Sequence, residues 1–253
     1  MSGANFRVIA RLDVKDEHLV KGVQYEGLRK LGDPHAFAAR YYAQGADELL
    51  YLDTVASLYG RSHLDGILQA TARDVFIPVT AGGGVRSVQD IAALLRAGAD
   101  KVAVNTAALR RPALLREGAE AFGSQCIVLS IQAKRRAPGR WEAYYDNGRE
   151  HSGRDAVAWA REGAALGAGE ILLTSVDCEG CRRGMDEALV AAVCAAVDVP
   201  VIAAGGCACA ADAAGAARAG AQAVAIASAL HYGALAMPAL KQTLRAQGLE
   251  VRL

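Results

Sequence analysis

The chain has 253 residues, of which 53% are hydrophobic and 22% charged, and its formal net charge is +1. That length suits one large domain with a continuous core, and the near-zero charge, without a basic stripe, argues against nucleic acid or an acidic membrane as partners. Residues 1–7 are short and polar and no window can span a bilayer, so we expect a cytosolic, soluble protein whose six cysteines are reduced thiols.

Short apolar runs alternate with amphipathic stretches about eight times, as expected for parallel strands joined by crossover helices. In chain order, a strand over 8–14 precedes a helix over 34–44. Strand 49–53 is followed by helix 64–72, strand 76–81 by helix 87–97, and strand 101–104 by helix 112–122. The second half repeats the scheme: strand 126–131, helix 155–166, strand 171–174, helix 187–197, strand 201–203, helix 211–219, strand 223–227 and helix 237–247. Asp33-Pro34 is an N-cap followed by proline at the first helical position. Gly98, Gly123, Gly167 and Gly220 follow helical runs, where a left-handed turn favours glycine. Residues 135–153, rich in charge and holding Pro138-Gly139 and Asn147-Gly148, are expected to form a hairpin or long loop on the active-site face.

The two halves match at a fixed offset. Pro78-Val79 aligns with Pro200-Val201, Gly83-Gly84 with Gly205-Gly206, Asp90 with Asp212, and Thr106-Ala107 with Ser228-Ala229. The same offset sets Glu48 over Glu170. These features predict a (β/α)8 TIM barrel of two homologous half-barrels, with residues 1–253 forming one domain. Such barrels carry chemistry where strands end.

Gly82-Gly83-Gly84 and Gly205-Gly206 end the third and seventh strands, while Asn105-Thr106 and Ala227-Ser228 end the fourth and eighth. Glycine lets backbone N–H groups approach an anion, and two matched pairs point to a ligand with two phosphates. Candidate binding positions are Gly84, Asn105, Thr106, Gly206, Ala227 and Ser228. Asp13 ends the first strand and serves as a proton-transfer group if burial raises its pKa, or as a structural carboxylate paired with Lys15 or Lys21. Its counterpart in the second half, Gln132, exchanges no proton near neutral pH. Asp53 and Asp177 follow the second and sixth strands and either orient polar ligand groups or bind loop amides. Arg7, Glu48, Lys101 and Glu170 each precede a strand. They form either a charged collar around the barrel bottom or ordinary solvated flanks. Cys178, Cys181, Cys207 and Cys209 lie on neighbouring loops as a weak zinc candidate; their spacing is not that of a zinc ribbon, and no metal or other cofactor is expected.

Leu12-Asp13-Val14-Lys15-Asp16, Lys21-Gly22-Val23, Gly45-Ala46-Asp47-Glu48, Ala97-Gly98-Ala99-Asp100-Lys101-Val102, Gly167-Ala168-Gly169-Glu170-Ile171-Leu172 and Ala204-Gly205-Gly206 together resemble the cyclase subunit of imidazole glycerol phosphate synthase, over essentially the whole chain. The resemblance implies a lyase-type cyclase that binds a bisphosphorylated ribonucleotide. It also implies a glutaminase (class I amidotransferase) partner docked on the barrel bottom, supplying ammonia along the barrel axis. Arg7, Glu48, Lys101 and Glu170 match that family's channel gate, Asp100 a partner-contact position, and Lys21, Asp53 and Asp177 active-site positions. The chain departs from the pattern at Gln132, where the family has its second catalytic aspartate, at Arg11, at Cys178-Glu179-Gly180-Cys181-Arg182-Arg183 and at Cys207-Ala208-Cys209. Residues 25–30 and 54–61 are similar to a paralogous branch encoded with surface-polysaccharide genes, in which ammonia serves amidation of a sugar.

Overall fold

The computed structural model describes residues 5–56 and 64–253. Eight parallel strands close on themselves: β1 (Arg7–Lys15), β4 (Glu48–Asp53), β5 (Val79–Gly82), β6 (Lys101–Val104), β7 (Ile127–Ala137), β10 (Glu170–Ser175), β11 (Val201–Ala204) and β12 (Ala223–Ile226). The last seam pairs Arg7 with Ala223 and Ala10 with Ile226, so no edge remains in the barrel. Helices α1 (Pro34–Ala43), α2 (Leu64–Thr71), α3 (Val88–Ala97), α5 (Ala113–Phe122), α6 (Ala156–Ala165), α7 (Glu187–Cys194), α8 (Ala210–Arg218) and α10 (Met237–Ala246) lie in the crossovers and after the last strand. Two short helices, α4 (Thr106–Arg110) and α9 (Ser228–His231), follow β6 and β12.

The strands are apolar on both faces because both are buried. Ile9, Leu50, Ala103, Val128, Leu172 and Ile202 pack inside the barrel with Ala204, Ala223 and Ala225. Val8, Leu49, Val102, Ile127, Ile171 and Val201 point outward into the helix layer. The expected strand at 76–81 begins only at Val79, since Phe76 is 74% exposed at the strand's approach and packs edge-on against Tyr42.

Both halves carry an antiparallel excursion between their first strand and first long helix. In the second half β7 runs on into β8 (Arg140–Tyr145) and β9 (Glu150–Asp155), a hairpin that starts in the segment expected as a hairpin or loop and ends two residues beyond it. In the first half β2 (His18–Val23) and β3 (Glu26–Gly32) form a hairpin that the sequence pattern did not reveal. Its turn is made by Gln24 (φ 52°) and Tyr25 (φ 64°), residue types that carry no turn signature. Helix punctuation follows expectation: Asp33 Oδ1 accepts from His35 N, and Gly98, Gly123, Gly167 and Gly220 all hold positive φ.

The internal repeat is exact in backbone terms at the strand ends. Asn105 (φ −119°, ψ −86°) and its counterpart Ala227 (φ −120°, ψ −84°) share one conformation. Asp90 accepts the N–H of Arg86 and caps α3 together with Ser87; its counterpart Asp212 accepts the N–H groups of Ala208 and Cys209 at the start of α8.

Candidate functional site

The C-terminal strand ends form the upper mouth, and the first-half cradle opens there into a cavity of about 270 Å³. Its wall includes Asp53, Gly84, Asn105, Thr106 and Gln132 from among the candidate residues, joined by Tyr25, Arg86, Arg110, Arg111 and Asn147. Gly83 is forced to be glycine, because a Cβ there would lie 2.3 Å from the Asp53 carbonyl oxygen at φ 104°. Its counterpart Gly205 meets the Ser175 carbonyl oxygen at 2.5 Å, at φ 94°. The paired glycines thus sit on the end of the preceding strand in both halves.

Several candidates here have structural work as well. The Asp53 carboxylate accepts the N–H groups of Val55 (3.0 Å) and Ala56 (2.9 Å), so it organises the loop after β4. Asn105 Nδ2 donates to the carbonyls of Ser130 and Tyr144 and ties β6 to β7 and β8. The Thr106 hydroxyl contacts Asp146, which also pairs with Arg110 at 3.3 Å. Gln132 is buried, and its Oε1 accepts the Gly148 N–H at 2.8 Å. The acceptor end of the amide is therefore occupied by the β8–β9 turn, and its NH2 group has no partner among the described residues. At this position the cavity is offered a donor and no exchangeable proton.

The second-half cradle is built alike but is shallower, with about 20 Å³ between Gly205, Gly206, Ala227, Ser228, Arg11, Glu179, Gly180 and Arg182. Between the two cradles lies a buried cluster of charges. Asp13 accepts from Arg11 Nε at 2.8 Å and from Lys21 Nζ at 2.6 Å. Glu179 pairs with the same two cations, through Lys21 Nζ and through Arg11 Nη1 at 3.3 Å, and Arg11 also donates to Tyr25 Oη at 3.0 Å. All five side chains are buried. Burial alone would raise the Asp13 pKa, but Arg11 and Lys21 outweigh it and hold the carboxyl at about 2. The condition set for Asp13 as a proton donor, a pKa raised by burial, is therefore reversed: Asp13 is an ionised acceptor with both oxygens engaged. Lys21 belongs to this cluster.

Of its two expected roles, Asp177 takes that of binding a loop amide. It is exposed, its carboxylate accepts the Arg135 N–H at 2.8 Å, and it lines a separate outer depression with Arg136 and Met185. The loop after β10 turns outward at Asp177 and inward at Glu179, so the inward carboxylate of that loop is Glu179. The loop cysteines have separate surroundings. Cys209 stands at the start of α8, Cys181 Sγ donates to the carbonyls of Asp177 and Glu179, and burial pushes the Cys207 thiol up to about 12. Among the described residues no three Cys, His, Asp or Glu side chains converge on a metal position.

At the lower mouth the four strand-start charges form a closed ring. Arg7 pairs with Glu48 and with Glu170, each at 2.5 Å, and Lys101 pairs with Glu48 at 2.9 Å and Glu170 at 2.8 Å. Each glutamate bridges both cations, so the solvated-flank alternative does not hold. Asp100 is exposed at the same end and its Oδ2 accepts the Val79 N–H at 2.8 Å; its counterpart Gln222 accepts the Val201 N–H at 2.8 Å. A strand-capping role accounts for that contact.

The sequence profile of histidine biosynthesis proteins matches residues 7–236. The chain belongs to the histidine biosynthesis protein family. Within it, the chain is 61% identical over 203 residues to "Imidazole glycerol phosphate synthase subunit HisF" of Legionella pneumophila, covering 80% of this chain and 96% of the relative. It is 52% identical to proteins of the same name from Synechococcus sp. (strain CC9311), over 97% of this chain and 95% of that one, and from Myxococcus xanthus (strain DK1622), over 97% of both. For a histidine biosynthesis barrel, the residues that sequence reasoning passed over are Glu179, Arg11 as an ion-pair partner, Tyr25, and the rim arginines Arg86, Arg110 and Arg111. Only their places at strand ends and on excursions could have flagged them.

Proposed function

We propose that this chain is the cyclase subunit of an imidazole glycerol phosphate synthase, an enzyme that forms imidazole glycerol phosphate from a bisphosphorylated ribonucleotide and ammonia, with the remainder of the substrate and its phosphate leaving as a second product. The observation that carries the reading is the near-complete match to relatives of that name, and the geometry agrees with it. Two glycine cradles face one upper mouth, suited to the two ends of an elongated dianionic ligand. The charged ring closes the lower mouth, where a glutaminase subunit would dock, with Asp100 on the rim, and ammonia would enter between Arg7, Lys101 and the two glutamates.

In this reading Gly84, Asn105, Thr106 and the rim arginines take one phosphate, and Gly206, Ala227 and Ser228 the other. Asp53 keeps the first cradle in shape. Asp13 remains ionised at neutral pH and, as counter-charge, holds Lys21 and Arg11 in place at the floor of the mouth. Gln132 orients the substrate by donating from its amide. The nucleophile is ammonia itself, and protons leaving it pass to solvent.

A second reading keeps the ammonia passage and moves the chemistry to another subunit, with ammonia serving amidation of a surface-polysaccharide sugar. The observation on its side is Gln132, whose acceptor atom is committed to Gly148. The test is turnover of the purified chain with the histidine-pathway substrate and ammonium salts. Robust turnover is expected. No turnover in the native chain, with a gain of about 10²-fold or more in Gln132→Asp, would transfer the assignment to the second reading.

A further inference from the structure

Each cradle has an arginine stacked on a tyrosine at its rim, but the two halves build the pair from opposite sides. In the first half Arg110 stands on α4, and its guanidinium lies 5.0 Å from the centroid of the Tyr145 ring of β8. The repeat sets Tyr232, just past α9, in the place of Arg110. There the helix supplies the ring, and the arginine comes from the loop after β10: the Arg182 guanidinium lies 5.5 Å from the Tyr232 centroid. Arg110 lines the first cavity, and Arg182 lines the second cradle together with Gly205, Gly206 and Ser228. A cation is thus present at both rims although the matching chain position holds one only in the first half.

The two arginines differ in what they are already bound to. Arg110 pairs with Asp146 at 3.3 Å, whereas Arg182 is exposed and forms no ion pair among the described residues. The other charged residues lining the second cradle, Arg11 and Glu179, pair with each other at 3.3 Å. Both belong to the buried cluster with Asp13 and Lys21, in which two cations meet two carboxylates. Among the described residues that line this cradle, Arg182 is therefore the one full positive charge that no carboxylate neutralises. Its backbone also sits at φ 52°, a left-handed conformation that residues with a side chain rarely adopt, and the Tyr232 ring is the support for its side chain.

We propose that Arg182, shelved on Tyr232, is a side-chain ligand for the phosphate of the second cradle and makes that cradle select a phosphate monoester end over a neutral one. This rests on the phosphate reading of the cradles given above and adds to it a residue outside the glycine turn and the strand ends. Gly205, Gly206, Ala227 and Ser228 shape the seat, and Arg182 supplies the charge. A guanidinium stacked on a ring keeps its edge N–H groups free for an anion, so the shelf and the ligand use different parts of one side chain. Two parallel N–H bonds to a phosphate are open to arginine and closed to lysine.

The test is titration of the full chain with inorganic phosphate, read by NMR at the backbone amides of Gly84 and Thr106 for the first cradle and of Gly206 and Ser228 for the second. In the wild type both pairs of amides should shift. Arg182→Gln should weaken the binding read at Gly206 and Ser228 by about tenfold, and leave that read at Gly84 and Thr106 within about twofold of wild type. Arg182→Lys should fall between the two, because it keeps the charge and loses the fork. Equal affinity at Gly206 and Ser228 in wild type and Arg182→Gln overturns the assignment and leaves the phosphate reading in place. Equal weakening at both cradles does the same, since it marks a diffuse effect of charge, and so does a wild-type shift confined to Gly84 and Thr106. No shift at either pair in the wild type overturns the phosphate reading and the assignment with it.

Discussion

Replacing Asp13 by asparagine removes one of the two carboxylates that neutralise Arg11 and Lys21, and leaves a buried positive charge with no compensation. The size of the effect follows from the carboxyl's depression from 3.8 to about 2, worth about 2 kcal/mol at neutral pH at 1.36 kcal/mol per unit. Breaking a buried pair by deleting one partner typically costs about 3–5 kcal/mol, because the remaining charge stays desolvated. We expect Asp13→Asn to lose about 2–5 kcal/mol, a fall in Tm of roughly 5–12 °C for a chain of this size. The sign with pH is fixed by the direction of the shift. A depressed carboxyl contributes fully above its unfolded value near 4 and loses the contribution as pH falls through its folded value near 2. Thermal unfolding at pH 7, 5 and 3 should therefore show a constant gap between wild type and variant down to pH 5, narrowing at pH 3. A variant melting within about 1 °C of wild type at pH 7 would refute the view that Asp13 is the counter-charge of this cluster.

His231 is held near a pKa of about 3 by burial and by Lys21, against the pull of Asp13, and its Nδ1 contacts Tyr41 Oη at 2.7 Å. A His with a lowered folded pKa supports stability fully above about 6.5 and loses it on acidification, so wild type should lose about 1 kcal/mol per pH unit between 6.5 and 3. His231→Phe should flatten that slope in urea titrations, and an unchanged slope would refute the assignment. Lys101→Met leaves both ring glutamates to Arg7 alone and should cost about 1–2 kcal/mol. With the glutaminase present, glutamine-dependent turnover should also fall relative to ammonium-dependent turnover, and an unchanged ratio would count against passage through the ring. Gly206→Ala drives a Cβ into the Gly184 carbonyl at φ 95° and should cost about 1–3 kcal/mol by calorimetry. Gly45→Ala, at φ 83° but in open space, should cost less, and equal losses would show that crowding at Gly206 is relieved elsewhere.

The barrel was legible because buried strands must be apolar and helices amphipathic, and because the repeat doubled every signal. The glycine cradles and the ring at the lower mouth were legible too, since Gly83 and Gly205, or Glu48 and Glu170, report themselves by position. The charge cluster was not. Glu179 sits beside Asp177 in a loop where both carboxylates look equivalent, and only the turn through Val176 and Cys178 decides which one faces inward. The β2–β3 hairpin escaped for a related reason: strand β3 is largely polar, with Glu26, Arg29 and Lys30 exposed, so no alternation marks it. The state of Asp13 depends on Lys21 from that hairpin and Arg11 beneath it, contacts that a pattern along the chain does not contain.

The coincidence of dihedral angles at Asn105 and Ala227 has a consequence for how the mouth presents itself to visitors. What the halves hold in common is the course of the main chain, while the groups hung on it have drifted apart: asparagine facing alanine, Asp53 facing Ser175, Ser87 facing Cys209. A lopsided guest can therefore meet two different lips cut from one template. Each lip is free to change its chemistry without redrawing the wall that carries it.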